Sequence, residues 1–235
     1  MIFAVDADAA RQAVGRRRLG CPEPGCAGRL HPWGSAQARR VAVALGTTVQ
    51  VTPDRVRCGH CRVSHVVLPA WYMPRRGHGV EVVGQALLGK AVDGQGHRRV
   101  AQTLGLAQGT VRGWLRGAAR TASQLTAQAV RAVGVSADVW AQRSTRRYPA
   151  GELTAAIDAL ARAAAAFARP APPAAPAPSA TGIDYFALLG AAHRRAVYER
   201  LHLLDPGDRL PALPPWQVIN LITRGRLLTP TAPGP

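Results

Sequence analysis

Four cysteines in two short pairs are the residues of this chain whose type and spacing most directly imply chemistry. Cys21 and Cys26 close the segment CPEPGC, Cys58 and Cys61 close CGHC, and 31 residues separate the pairs. Thiolates are soft ligands, and two tight knuckles brought together by intervening strands supply the four donors of tetrahedral zinc without needing a large apolar core. The second pair has the spacing of a zinc knuckle. The first, with four spacers, is less specific, although Pro22 and Pro24 stiffen its turn. His60 and His65 are close enough in sequence to be rival ligands. All-cysteine coordination is preferred, because a histidine beside a knuckle more often packs or faces solvent. Two disulfides or four unrelated thiols are the alternatives; a reducing compartment disfavours the first and the tidy pairing disfavours the second. A closed four-ligand site is structural, so the expected zinc serves folding and not catalysis.

The elements that must position these sulfurs are Val-rich. ARRVAVALGTTVQVTPDRVRC offers two strand-like runs broken at Gly46, and RVSHVVLPAWYM offers a third after the second pair, so a small ribbon of strands across the metal is expected.

Charge points to the partner. The 235 residues carry 30 Lys plus Arg against 13 Asp plus Glu, a net charge of +17. Residues 1–150 hold 22 of the basic and 7 of the acidic side chains, net +15, so the half expected to face a polyanion is N-terminal. Lys90 is the only lysine, and the abundance of Ala, Gly, Pro and Arg limits what arginine preference alone implies. No run approaches the roughly 18 apolar residues of a membrane helix. MIFAVDADAARQAVGRRR places its basic cluster after its apolar residues, the reverse of a secretory signal. No membrane partner and a cytoplasmic, nucleoid-associated location are therefore expected.

A second constellation lies at GHRRVAQTLGLAQGTVRGWLRGAAR, residues 96–120. Gly105 supplies a turn residue tolerant of positive φ between two short helices, and Ala101 is small enough to let them approach. Val100, Leu104, Leu106, Val111, Trp114 and Leu115 form the apolar face the pair would bury, and VEVVGQALLGKAV supplies a supporting helix before it. Opposite that face, Gln108, Arg112 and Arg116 recur at i, i+4 and i+8 as one stripe. Gln pairs well with adenine and Arg with guanine in the major groove, which makes these three the expected base contacts. Arg98, Arg99, Thr110 and Arg120 are the expected phosphate contacts. Gly109 and Gly113 weaken the helix, as interior glycines do, unless close backbone approach to DNA requires them.

Beyond Arg116 an Ala-rich stretch with Leu125, Ala129 and Val133 at helical spacing continues the helix, and ELTAAIDALARAAAAFAR at 152–169 is another. These helices pair with each other or, in a homodimer, with a second copy. PAPPAAPAPSA at 170–180, with five prolines in eleven residues, is an extended linker. YFALLGAAHRRAVYERLHLL and PPWQVINLITRGRLL follow as helices, the second begun by Pro215, in a region too small for a secure core of its own and so expected to dock onto the N-terminal part or a partner.

Together, CPEPGCAGRLHPWG, CGHCRVSHVVLPA and GHRRVAQTLGLAQGTVRGWLR resemble a family of bacterial proteins that combine a zinc ribbon with a transposase-type helix-turn-helix. The resemblance covers roughly residues 15–120 and is similar in layout to insertion-element proteins that bind the ends of their own element. It implies mobile-element or regulatory DNA binding.

The expected architecture is mainly α with a small β zinc ribbon: zinc ribbon at 15–75, helix-turn-helix at 79–120, helical extension at 121–169, linker at 170–180 and a small helical region at 181–235. The expected function is sequence-specific binding of double-stranded DNA, as a transcriptional regulator or mobile-element accessory protein, with no catalytic residues. The alternative is an adaptor whose C-terminal helices bind a transposase or polymerase. A transposase or nuclease would need carboxylates for two divalent metals, and the densest set, Asp184, Glu199, Asp205 and Asp208, is too sparse.

Overall fold

The computed structural model describes residues 1–44, 46–133, 151–168 and 213–229. The linker at 170–180, the helix expected around 185–204 and the four carboxylates weighed for catalysis lie outside these residues.

The architecture is α+β, which corrects the expectation of a mainly α fold with a small β zinc ribbon: a four-stranded sheet and a separate hairpin stand where the ribbon was expected. Six strands form two sheets: β1 (Ile2–Ala4), β2 (Leu30–Ser35), β5 (Asp54–Cys58) and β6 (Ser64–Pro69) make a four-stranded sheet of order β1-β6-β5-β2, while β3 (Arg39–Ala44) and β4 (Thr47–Val51) form a separate hairpin. Strand β1 runs parallel to β6, and the other pairs are antiparallel. Three strand runs are expected from the sequence; the second, TTVQVTPDRVRC, divides at Thr52 and Pro53 into β4 and β5, which belong to different sheets, and β1 and β2 escape the sequence reading for physical reasons. β1 is only three residues, and its pairing of Ile2 with Val67 joins distant parts of the chain. β2 contains Pro32 and Gly34, residues that argue against a central strand; it forms because it is an edge, where a missing N–H is harmless. The break anticipated at Gly46 is the hairpin turn, with φ at +72°.

Alternation along the strands divides the sheet between two cores. Ile2, Leu30, Val56 and Val67 face helix α1 (Ala7–Gly15) in a small core that also takes Cys21 and Cys58. Phe3 and Leu68 face the opposite way into the main core, built by α2 (Val80–Ala91), α4 (Gln108–Val133), α5 (Glu152–Ala168) and α6 (Pro215–Ile222). Helix α3 (His97–Thr103) sits against α4 through buried Val100 and Ala101. Asp6 caps α1 by accepting from the backbone N–H groups of Asp8 and Ala9 at 2.8 and 3.0 Å.

Helix α6 is docked, not appended. The indole of Trp216 occupies the space a Cβ at Gly84 would need. Asn220, fully buried, donates from Nδ2 to the carbonyls of Ala70 at 2.6 Å and Tyr72 at 2.9 Å. Thr121 of α4 donates to the carbonyl of Leu227 at 3.2 Å. Among the described residues, no helix is long and apolar enough to cross a membrane.

Candidate metal centre and basic helix face

The four cysteines meet at one end of the four-stranded sheet. Cys58 ends β5, Cys61 lies in the turn to β6, and Cys21 and Cys26 lie in the loop between α1 and β2. That loop is closed on itself by the bridge Gly20↔Arg29 and by the N–H of Cys21 donating to the carbonyl of Gly28 at 2.9 Å, and it is tied to β2 by the N–H of Leu30 donating to the carbonyl of Leu19 at 2.9 Å. All four sulfurs lie within 4.8 Å of one another. The Cys21–Cys61 and Cys26–Cys58 Sγ separations are 3.6 Å each. A tetrahedral ion bonded to four sulfurs at about 2.3 Å requires sulfur–sulfur edges of about 3.8 Å, so the donor set fits such a metal.

Local backbone completes each knuckle. The N–H groups of Gly28 and His60 donate to the sulfurs of Cys26 and Cys58 at 3.4 and 3.3 Å. A Cβ at Gly28 would run into the Cys58 sulfur and the His60 side chain, so the loop closes only because residue 28 is glycine. Arg62 takes φ of +65°, the left-handed conformation that lets the N–H of Cys58 reach the carbonyl of Val63 at 3.0 Å. Burial pushes the Cys21 thiol up to about 12. Burial acts in the same direction on Cys58, but hydrogen bonds from the N–H groups of Cys61 and His60 and from the Cys61 and Cys26 thiols together outweigh it and hold that thiol down to about 6.

Neither histidine joins the cluster. His60 is exposed and contributes its backbone. His65 is buried on β6, with Nε2 3.9 Å from the Cys21 sulfur and Nδ1 3.3 Å from the terminal amino group of Met1. Burial, followed by that positive terminus, holds its imidazole below the ordinary value. Among the described residues, this is the one place where three or more metal-ligating side chains gather.

On α4, Val111, Trp114 and Ala118 are buried, while Gln108, Arg112 and Arg116 are all exposed on the other side. Gly105, with φ of +59°, ends α3, and Leu106 N–H returns to the carbonyl of Ala101 at 2.9 Å, fixing the angle at which α4 departs. Trp114 is further held by the edge of His78, their ring centroids 5.0 Å apart. Arg98 and Arg99 are exposed on α3, Arg120 is exposed on α4, and Thr110 is half-buried. Nothing lies within 4 Å of where a Cβ would stand at Gly109 or Gly113. Sequence reasoning passed over Gly28, Arg62 and the exposed Trp33, whose placement depends on turns and pairings that spacing alone does not reveal.

Residues 21–114 match the model of a family described as a domain of unknown function, DUF6431. The matched stretch begins at the first cysteine and ends in the second turn of α4, so it holds the whole cysteine cluster and the α3–α4 turn. No curated protein and no solved structure matches the chain.

Proposed function

We propose that this chain binds double-stranded DNA in a sequence-specific manner, as a transcriptional regulator or an accessory protein of a mobile element. Helices α3 and α4 act as a helix-turn-helix, and the four cysteines hold a structural zinc ion. The observation that carries the reading is the stripe of Gln108, Arg112 and Arg116, exposed along the first turns of a helix whose other side is locked into the main core. Recognition helices present base-reading side chains from their N-terminal turns in this way. The positive charge of the N-terminal half supplies the attraction to phosphate, and the exposed Arg98, Arg99 and Arg120, with the half-buried Thr110, take the backbone contacts in this reading. The resemblance of residues 15–120 to zinc-ribbon and transposase-type helix-turn-helix proteins supports the same reading. Zinc is favoured for the metal because four thiolates at tetrahedral spacing suit it and leave no open position for a substrate.

The test is Arg112→Ala on a preferred duplex and on random duplex in parallel. The expected result is a loss of about 1–3 kcal/mol, roughly 5- to 150-fold, on the preferred duplex and a much smaller loss on random DNA. Equal losses on both would make Arg112 a backbone contact.

Gly113→Ala gives a second expected outcome. Alanine should stabilise α4 by about 0.5–1 kcal/mol in thermal melting, since open space surrounds the position. The same methyl group should weaken duplex binding where α4 lies close to the groove. A gain in stability with unchanged affinity would place this face away from DNA.

A further inference from the structure

The four-stranded sheet carries a second feature that the α4 reading does not use. Trp33 on edge strand β2 is 51% exposed, an unusual position for the largest apolar side chain. It is not loose. Between Pro32, paired with Val56, and Ser35, paired with Asp54, β2 holds one more residue than β5, and Gly34 absorbs this bulge at φ of +95°. Bulges re-aim side chains. Here the indole is brought over the guanidinium of Arg57, whose Cζ is 4.5 Å from the ring centroid, with the His31 ring edge-on at 6.3 Å. Arg57 is itself fixed, its Nε donating to the carbonyl of Arg62 at 3.0 Å in the turn that follows Cys61. The result is an aromatic plate backed by a cation and braced by the metal turn.

The surroundings favour a polyanion. Residues 29–62 contain six arginines and one acidic residue, Asp54, which is engaged by Arg11 at 2.9 Å. By the strand register, His31, Arg55 and Arg57 share one face of the sheet, beyond the end where Phe3 and Leu68 turn into the main core. An exposed indole among guanidinium groups is the chemistry that binds single-stranded nucleic acid. An unpaired base stacks on the ring, and the cations follow the phosphates. A regular duplex keeps its bases stacked inside and offers the ring nothing equivalent.

We infer that this face of the sheet binds single-stranded DNA, with an unpaired base stacked on Trp33 and phosphates held by Arg55 and Arg57. The site is distinct from the α4 stripe and does not depend on it. Such a chain would engage DNA where duplex and unpaired strand adjoin.

The experiment is fluorescence anisotropy of the metal-loaded full chain on a labelled oligothymidylate of about 12 nucleotides, a length within the span such sites cover. Trp33→Ala and Trp33→Phe are compared with the unmodified chain on this probe and on the preferred duplex. Trp33→Ala is expected to weaken binding about fivefold or more, the low end of one base-stacking interaction. Trp33→Phe should recover most of the loss, and Trp33→Ala should leave the affinity for the preferred duplex unchanged. An abasic strand of equal length should bind the unmodified chain as weakly as oligothymidylate binds the Trp33→Ala variant. Absence of single-strand binding, equal affinity for Trp33→Ala, or a Trp33 dependence confined to duplex DNA would each overturn the inference. Because Arg112→Ala is scored separately on duplex, failure here and failure of the α4 reading are distinguishable.

Discussion

Replacement of Cys58 by serine is expected to abolish stoichiometric metal binding and unfold the sheet around it while leaving the helical part structured. Cys58 is fully buried, ends β5 and faces Cys26 across 3.6 Å. Its removal leaves three sulfurs and a hydroxyl that is a poor donor for a soft site. The core around it offers little compensation. Besides the cysteines it holds Ile2, Ala4, Val14, Leu30, Val56 and Val67, of which only Ile2 and Leu30 are larger than valine. Structural zinc contributes on the order of 10 kcal/mol to the folding of small metal-stapled units, far more than such a core supplies. The main core, with Val83, Leu87, Trp114, Leu125, Leu160 and Ile219, is a separate cluster. Hydrogen exchange should therefore show lost protection in β5 and β6 and retained protection in α4. Chelation of the metal from the unmodified chain should reproduce the pattern. A chain whose β5 amides stay protected in excess chelator would show that the cysteines do not depend on a metal to organise the sheet.

The second large effect is expected at Gly84. This residue is buried in the middle of α2, where glycine costs helix stability, and its missing side chain is where the Trp216 indole rests. Gly84→Val would force that ring out, and α6 with it. Asn220 would then leave the carbonyls of Ala70 and Tyr72, and Thr121 would lose the carbonyl of Leu227. Overpacking of a filled core costs about 1–3 kcal/mol, and the buried hydrogen bonds broken here add to it. The expected outcome is a melting transition lowered by several degrees, together with proteolytic cleavage of the segment around α6. Trp216→Ala combined with Gly84→Val should recover part of the loss, because the space contested by the two side chains is then free. Unchanged melting in the single variant would mean that α6 does not pack on α2.

Much of the helical framework was legible. Gly105 marked the α3–α4 turn because only a left-handed residue ends α3 there, and Pro215 marked the start of α6 because proline is pre-shaped for a helix's first turn. The stretches proposed for α2 and α5 match Val80–Ala91 and Glu152–Ala168 closely, since amphipathic spacing is a local property. The cysteine pairs announced that they would meet. The four-stranded sheet was not legible, because its outer strands obey no local pattern: three residues at the amino terminus pair with β6, and a proline-containing edge pairs with β5. Gly84 illustrates the same limit. Its lack of a side chain reads as a local cost until Trp216, over a hundred residues later, is seen to fill the gap. Arg62 was opaque for a related reason, since an arginine stands where the turn after Cys61 adopts a conformation that favours glycine.

Whether α4 reads the sequence of a duplex, as proposed, is tested most directly by selection. The zinc-loaded chain would be equilibrated with a pool of random duplexes across a salt series, and the bound fraction sequenced. One defined motif should be enriched, with affinity falling steeply as salt rises because phosphate contacts release counterions. Salt-sensitive binding without any enriched motif, or no binding at low salt, would contradict the α4 reading.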